Sequence, residues 1–149
     1  MRGEGSRVWR HAIGVAPLAI LFLGRGAAAD PVCKDSGVTV SFRSGSAEID
    51  RSGQGALSGV ATWAQNGDQR TVRLEGYADR AGGATGNQRL SERRAQAAED
   101  FLLGKGVDAA RIAVVGHGEE MAGNLTGADA RVVKVETCDV RRTVAEATP

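Results

Sequence analysis

Four stretches of the chain carry the alternating or apolar pattern of short β-strands. Val38 to Phe42 alternates apolar and polar side chains, and Arg70 to Gly76 does so again. Two apolar runs, Ile112 to Val115 and Val132 to Val135, have the length and the β-branched composition of strands. We therefore predict four strands, the last two separated by a polar, glycine-rich loop.

Two helices are predicted between the first three strands. Arg51 to Ala64 places apolar side chains on one helical face in spite of its glycines, and Gln88 to Leu103 has the stronger pattern. Gly104-Lys105-Gly106 ends the second helix. The order β-α-β-α-β-β predicts an α+β fold, a small mixed sheet with the two helices packed on one face.

The first 29 residues are predicted to be a signal peptide. Three arginines precede an apolar run from Ala12 to Leu23, and Ala27-Ala28-Ala29 supplies small residues before a cleavage site at Asp30. The run is shorter than the ~20 residues that span a bilayer. An uncleaved anchor is the alternative, but export is the better interpretation. Lipidation is disfavoured, because Cys33 does not directly follow the cleavage site.

The mature chain of about 120 residues is predicted to form one domain. We place an N-terminal segment at 30–37, the domain at 38–137 and a tail at 138–149. Its 15 basic and 17 acidic residues give no general attraction for nucleic acid. No apolar stretch of the mature chain is long enough to span a membrane as a helix.

The two cysteines flank this domain. In an oxidising compartment Cys33 and Cys138 can form a disulfide that ties the ends of the domain together, and two unpaired thiols are the alternative. A metal site is disfavoured, because His117 is the only histidine of the mature chain. The segment around His117 is interpreted as a solvated loop.

The candidate chemistry lies between Gly76 and Ala95. Asp79 closes a predicted strand, and a glycine-rich turn leads into the second helix. Arg94 falls on the apolar stripe of that helix, where an unpaired guanidinium is costly. Asp79 is the natural anion for it across the turn. An acid and a base held at the edge of a core suggest a site for a small zwitterion, and a purely structural ion pair is the alternative.

The chain resembles the OmpA-like peptidoglycan-binding family from about Val38 to Glu136. The resemblance centres on Gly76-Tyr77-Ala78-Asp79 and Leu90-Ser91-x-x-Arg94-Ala95. Asn87, Gly106-Val107, Gly116-His117-Gly118-Glu119 and Arg131-Val132 follow in family order.

The resemblance implies a non-catalytic, periplasmic domain associated with the cell wall or the outer membrane. Its ligand would be the diaminopimelate of the peptidoglycan stem peptide, with no cofactor and no metal. Asp79 would accept the ligand ammonium, and Arg94 would bind its carboxylate bidentately. Four residues would support the site: Gly76, Ala78, Asn87 and Arg131. Asn87 is interpreted as a turn or N-cap residue that orders the loop above the site. The family sheet would also bring Cys33 close to Cys138.

Two other functions are alternatives to wall binding. An enzyme is poorly supported, because the chain carries neither a G-x-S-x-G elbow, nor an H-E-x-x-H helix, nor a phosphate-binding loop. A periplasmic protein-interaction domain of the same fold, without wall binding, is the stronger alternative. Ala78 and Gly86 favour it, since the family commonly carries larger or polar side chains at those positions.

Overall fold

In the computed structural model, which describes residues 32–119 and 126–139, four strands and two α-helices follow one another in the predicted order. They are β1 (Val32–Ser41), α1 (Arg51–Gln65), β2 (Arg70–Gly76), α2 (Ala84–Gly104), β3 (Ile112–Gly116) and β4 (Val132–Asp139). Short 3₁₀ turns precede β3 and β4. The predicted signal peptide and the tail beyond Asp139 lie outside the described residues.

The four strands form one mixed sheet in the order β1-β4-β2-β3. The last strand, β4, lies between β1 and β2 and is antiparallel to both, whereas β2 and β3 are parallel. As a result β1, β2 and β3 all terminate at the same end of the sheet, where β4 begins. The loops that carry the candidate residues meet there, and we call this end of the sheet the loop end.

Both helices pack on one face of the sheet, as predicted. Asp50 caps α1 by accepting a hydrogen bond of 2.8 Å from the backbone of Gly53. The core contains fully buried side chains from the sheet and from both helices: Val40, Leu57, Leu74, Leu102, Val133 and Val135. Charged residues occupy the other face, where Arg73 and Glu136 form an ion pair of 3.5 Å.

Two elements begin earlier than predicted. β1 begins at Val32 rather than Val38, because its first half is a largely exposed edge strand whose polar residues hide the strand pattern. Its pairing with β4 is irregular between Asp35 and Val38, where Gly37 has a φ of 72°. α2 begins at Ala84 rather than Gln88.

The predicted disulfide between Cys33 and Cys138 is confirmed. The two residues face each other in the antiparallel pair of β1 and β4, with their Cα atoms 3.9 Å apart. The bond therefore joins the start of β1 to the end of β4, at the end of the sheet opposite the loop end. Within the described ranges, no helix is long and apolar enough to cross a membrane.

Candidate functional site

Backbone hydrogen bonds hold three loops together at the loop end. The amide of Phe42, just after β1, donates to the carbonyl of Arg131 at 2.8 Å. Tyr77 and Ala78, just after β2, donate to the carbonyls of Val132 and Gly118, both at 2.8 Å. The topology therefore brings together candidate residues that lie far apart along the chain.

Gly76 and Gly116 allow α2 to lie directly against this end. The two glycines are neighbours in the pairing of β2 with β3. A Cβ atom on Gly76 would lie 2.1 Å from the carbonyl oxygen of Ser91, and one on Gly116 would lie 2.8 Å from the amide nitrogen of Glu92. Only hydrogen fits at these two positions. This close approach places the next turn of α2 beneath the three loops.

Arg94 extends from that turn and is completely buried. Its guanidinium donates to three backbone carbonyls: to Ser46 from Nε at 2.9 Å, to Tyr77 from Nη1 at 2.9 Å and to Arg43 from Nη2 at 3.1 Å. The guanidinium carbon also lies 5.3 Å from the centroid of the Phe42 ring. Arg94 therefore ties the segment after β1 to the segment after β2.

Among the described residues, no carboxylate forms a direct ion pair with Arg94. Burial lowers the pKa of Arg94, the nearby charge of Asp79 raises it, and Arg131 and Arg93 lower it further. A guanidinium stays protonated under such shifts, because its ordinary pKa is far above neutrality. The carbonyl dipoles and the charge of Asp79 together stabilise a cation in the interior.

The ion pair of Asp79 is formed with Arg131 instead. Arg131 Nη1 lies 2.9 Å from Asp79 Oδ2, and Arg131 Nε donates to the carbonyl of Phe42 at 3.2 Å. The expected contact between Asp79 and Arg94 is thus replaced: Asp79 pairs with Arg131, and backbone carbonyls accept the hydrogen bonds of the Arg94 guanidinium. Asp79 is nearly buried, with 11% of its side chain exposed, whereas 21% of the Arg131 side chain is exposed.

Asn87 and Ala78 support the loops in different ways. Asn87 is not the N-cap of α2, since Gly83 occupies that position and Asn87 lies one turn inside the helix. Its buried side chain donates to the carboxylate of Glu119 in the segment that follows β3. The Ala78 methyl group is fully buried, and its contribution to the site is the backbone bond described above.

His117 is less solvated than the sequence suggested. Its ring is stacked on Tyr77, with the centroids 5.0 Å apart, and its Nε2 atom is buried without a hydrogen-bond partner among the described residues. Glu75 lies 3.7 Å from that nitrogen and accepts a 2.8 Å hydrogen bond from the Tyr77 hydroxyl. Within residues 32–119 and 126–139, no cluster of three or more acidic, histidine or cysteine side chains is placed to hold a metal ion.

A cleft of about 490 Å³ lies beside the site rather than within it. The first turns of α2 and residues 117–119 line it, and Asp79 and Arg94 do not. Arg89 and Glu92 in its wall are exposed, so their charges are well solvated. We therefore locate the candidate site at Asp79, where charged groups are fixed by the fold.

The chain is similar to known proteins of one described family and to solved structures. A family model described as the OmpA family matches residues 41–135. The peptidoglycan-associated lipoprotein of Brucella melitensis is 36% identical over 104 residues, which cover 67% of this chain and 62% of that protein. Outer membrane protein A of Shimwellia blattae is 39% identical over 82 residues, covering 54% of this chain and 34% of that protein. The chain thus spans less than two thirds of the length of these relatives.

The fold agrees with solved structures. The crystal structure of the peptidoglycan-associated lipoprotein from Burkholderia pseudomallei aligns with a TM-score of 0.63 and 25% identity. That alignment covers 66% of this chain and 88% of the solved chain.

Proposed function

The chain belongs to the OmpA family, and from that premise we propose that its exported form binds peptidoglycan non-covalently at the loop end of the sheet. The observation that carries the proposal is the charge pattern around Asp79. One nearly buried carboxylate, with 11% of its side chain exposed, lies near two guanidinium groups, those of Arg94 and Arg131. This arrangement offers an anion for an ammonium group and excess positive charge for a carboxylate.

Diaminopimelate in a stem peptide presents both of those groups on one carbon. We propose that Asp79 accepts hydrogen bonds from the ammonium, while Arg94 supplies the positive charge that draws the carboxylate towards the loops. Each charge-assisted contact contributes about 1.5–3 kcal/mol. Affinity for a single stem peptide should therefore be modest, and the many copies in a cell wall would favour retention through rebinding.

Co-sedimentation with purified sacculi tests this proposal. We expect the wild-type protein to pellet, and we expect Asp79→Ala and Arg94→Ala to remain mostly in the supernatant. Arg93→Ala is the matched control, because this neighbouring residue is exposed and should bind nearly as wild type. Circular dichroism of each variant separates a lost contact from a lost fold. Wild-type protein that stays in the supernatant, or site variants that pellet like wild type, would refute the proposal.

The same assay addresses the alternative of a periplasmic protein-interaction domain. Gly86 favours this alternative, since it is exposed and its missing side chain would meet nothing within 4 Å, which leaves that part of the surface bare. If this alternative is correct, the folded wild-type protein should not pellet with sacculi.

The proposal that the chain is exported depends on the predicted signal peptide in residues 1–29. We propose cleavage between Ala29 and Asp30, which an intact-mass measurement on protein from a Gram-negative host would detect. Retention of Met1 in a membrane fraction would favour the uncleaved anchor.

A further inference from the structure

We propose that the segment 140–149, which follows the described residues, packs its valines against Trp63 in a groove between α1 and β1. The groove lies on the helix-bearing face of the sheet, at the end opposite the loop end. The inference is therefore independent of wall binding. It assigns a partner from the same chain to a surface that no other described element covers.

The groove, which we call the Trp63 groove, runs along the open edge of the sheet that β1 forms. Two neighbouring clefts, of about 340 and 220 Å³, share Trp63 and Thr137 in their walls. The larger cleft lies between α1 and the middle of β1, at Val38. The smaller cleft continues to the start of β1, at Val32 and Lys34.

An apolar stripe of α1 lines the larger cleft. Its members recur at the i, i+3, i+4 and i+7 positions of one helical face: Ala56, Gly59, Val60 and Trp63. A Cβ atom on Gly59 would meet nothing within 4 Å, so there is room beside the stripe for another side chain. At the other end of the groove Val32 is 47% exposed, more than any other large apolar residue in the described ranges. A continuous apolar surface of this kind is typical of a contact site.

The end of β4 leads the chain into this groove. Asp139, the last residue of β4, lines the smaller cleft and pairs with Val32. Ten residues follow it in the sequence. The groove extends along β1 from Val32 to Val38, about 20 Å at the rise of a strand. An extended segment of six residues covers that length at about 3.3–3.6 Å per residue, so the ten residues are sufficient.

The segment has side chains that suit the groove. Val140 and Val144 are its two large apolar residues. Arg141-Arg142 lies between them in the sequence, and the exposed carboxylates of Asp68 and Asp139 share one further cleft beside the groove. Apolar side chains inside and charged groups at the rim are the usual arrangement of a protein contact. Because the segment is tethered at Asp139, its effective concentration at the groove is high, which favours it over a separate partner.

The fluorescence of Trp63 tests the inference, because Trp63 is the only tryptophan of the predicted mature chain. In the mature, disulfide-bonded protein, Val144→Asp should shift the emission to longer wavelength and increase quenching by acrylamide. The reason is that a carboxylate is costly to bury in an apolar groove, so the segment leaves and the indole ring is exposed to water. Thr143→Asp is the matched control, because it adds the same charge at a neighbouring polar position and should leave emission and quenching near the wild-type values. Far-UV circular dichroism should be the same for all three proteins.

Wild-type emission and quenching in Val144→Asp, or an equal change in Thr143→Asp, would overturn the inference. Emission of the wild type that varies with protein concentration would also overturn it, since a second copy would then cover the groove. A contact in the wild-type protein decides without any variant. Nuclear Overhauser effects should connect the indole protons of Trp63 to the methyl groups of Val140 or Val144. Their absence from a spectrum that shows the contact of the indole ring with Arg70, whose guanidinium lies 4.9 Å from the ring, would refute the inference.

Discussion

Replacing Arg94 by alanine should destabilise the domain far more than a typical surface change. The substitution leaves the carbonyl of Tyr77 in a fully buried position without a donor, which costs about 1–3 kcal/mol. The carbonyls of Ser46 and Arg43 are partly accessible to water, so each lost bond should cost about 0.5–1.5 kcal/mol. With about 0.5–1 kcal/mol for the lost contact to Phe42, the total is about 2.5–7 kcal/mol, a large share of the 5–15 kcal/mol typical of a domain.

Urea unfolding followed by circular dichroism measures this loss. Arg94→Lys should recover only part of it, because an ammonium lacks the planar fork that reaches three carbonyls. Arg93→Ala, one residue away on the exposed face of α2, should change the free energy of unfolding by less than about 0.5 kcal/mol. If Arg94→Ala unfolds at the same urea concentration as Arg93→Ala, the three carbonyl bonds do not contribute as the structure indicates.

Three further predictions concern stability, and each is measured by denaturant unfolding. Gly76→Ala should lower the free energy of unfolding by more than about 3 kcal/mol, because its Cβ would lie 2.1 Å from the backbone of α2. Gly86→Ala, in α2 and facing open space, should be neutral or stabilising by up to about 1 kcal/mol, and similar losses in both variants would contradict the close approach. Replacing Cys33 and Cys138 by serine should cost about 4–5 kcal/mol in the chain-entropy model for a separation of 105 residues, and reductant should destabilise the wild type but not this variant. Burial, reinforced by a neighbouring carboxylate, raises the pKa of the Tyr77 phenol above 10.0. The stability that the neutral phenol contributes is therefore complete below about pH 10 and is lost as the pH rises further. Tyr77→Phe should lose less stability above about pH 10, and identical pH profiles for the two proteins would show that Tyr77 is not the cause.

Most helices and strands could be predicted because the apolar side chains that they bury recur with the period of a helix or a strand. The limits of β2 match the alternation of residues 70–76, and α1 ends within one residue of its apolar face. The start of α2 could not be predicted, since Gly83, Thr85 and Gly86 have little helical preference of their own. Tertiary bonds hold that turn instead, including the one from Asn87 to Glu119.

The sequence predicts the residue types at the candidate site but not the partners of their side chains. Arg94 on an apolar stripe signalled a buried cation, and the structure shows it at the centre of the loop end. Its hydrogen bonds go to backbone carbonyls. The positions of these carbonyls depend on how three loops pack together, which the pattern of side chains does not indicate. The same applies to Arg131, which lies far along the chain from Asp79 and becomes its partner only through the insertion of β4.

The disulfide at the far end of the sheet has a mechanical consequence. Because Cys33 and Cys138 are adjacent partners on β1 and β4, tension applied between residues 32 and 139 passes through one covalent link and bypasses the fold between them. Tension applied between the loop end and residue 32 or 139 instead runs parallel to the strands. It loads the hydrogen bonds between β1, β4 and β2 in shear, all together, rather than opening them one at a time.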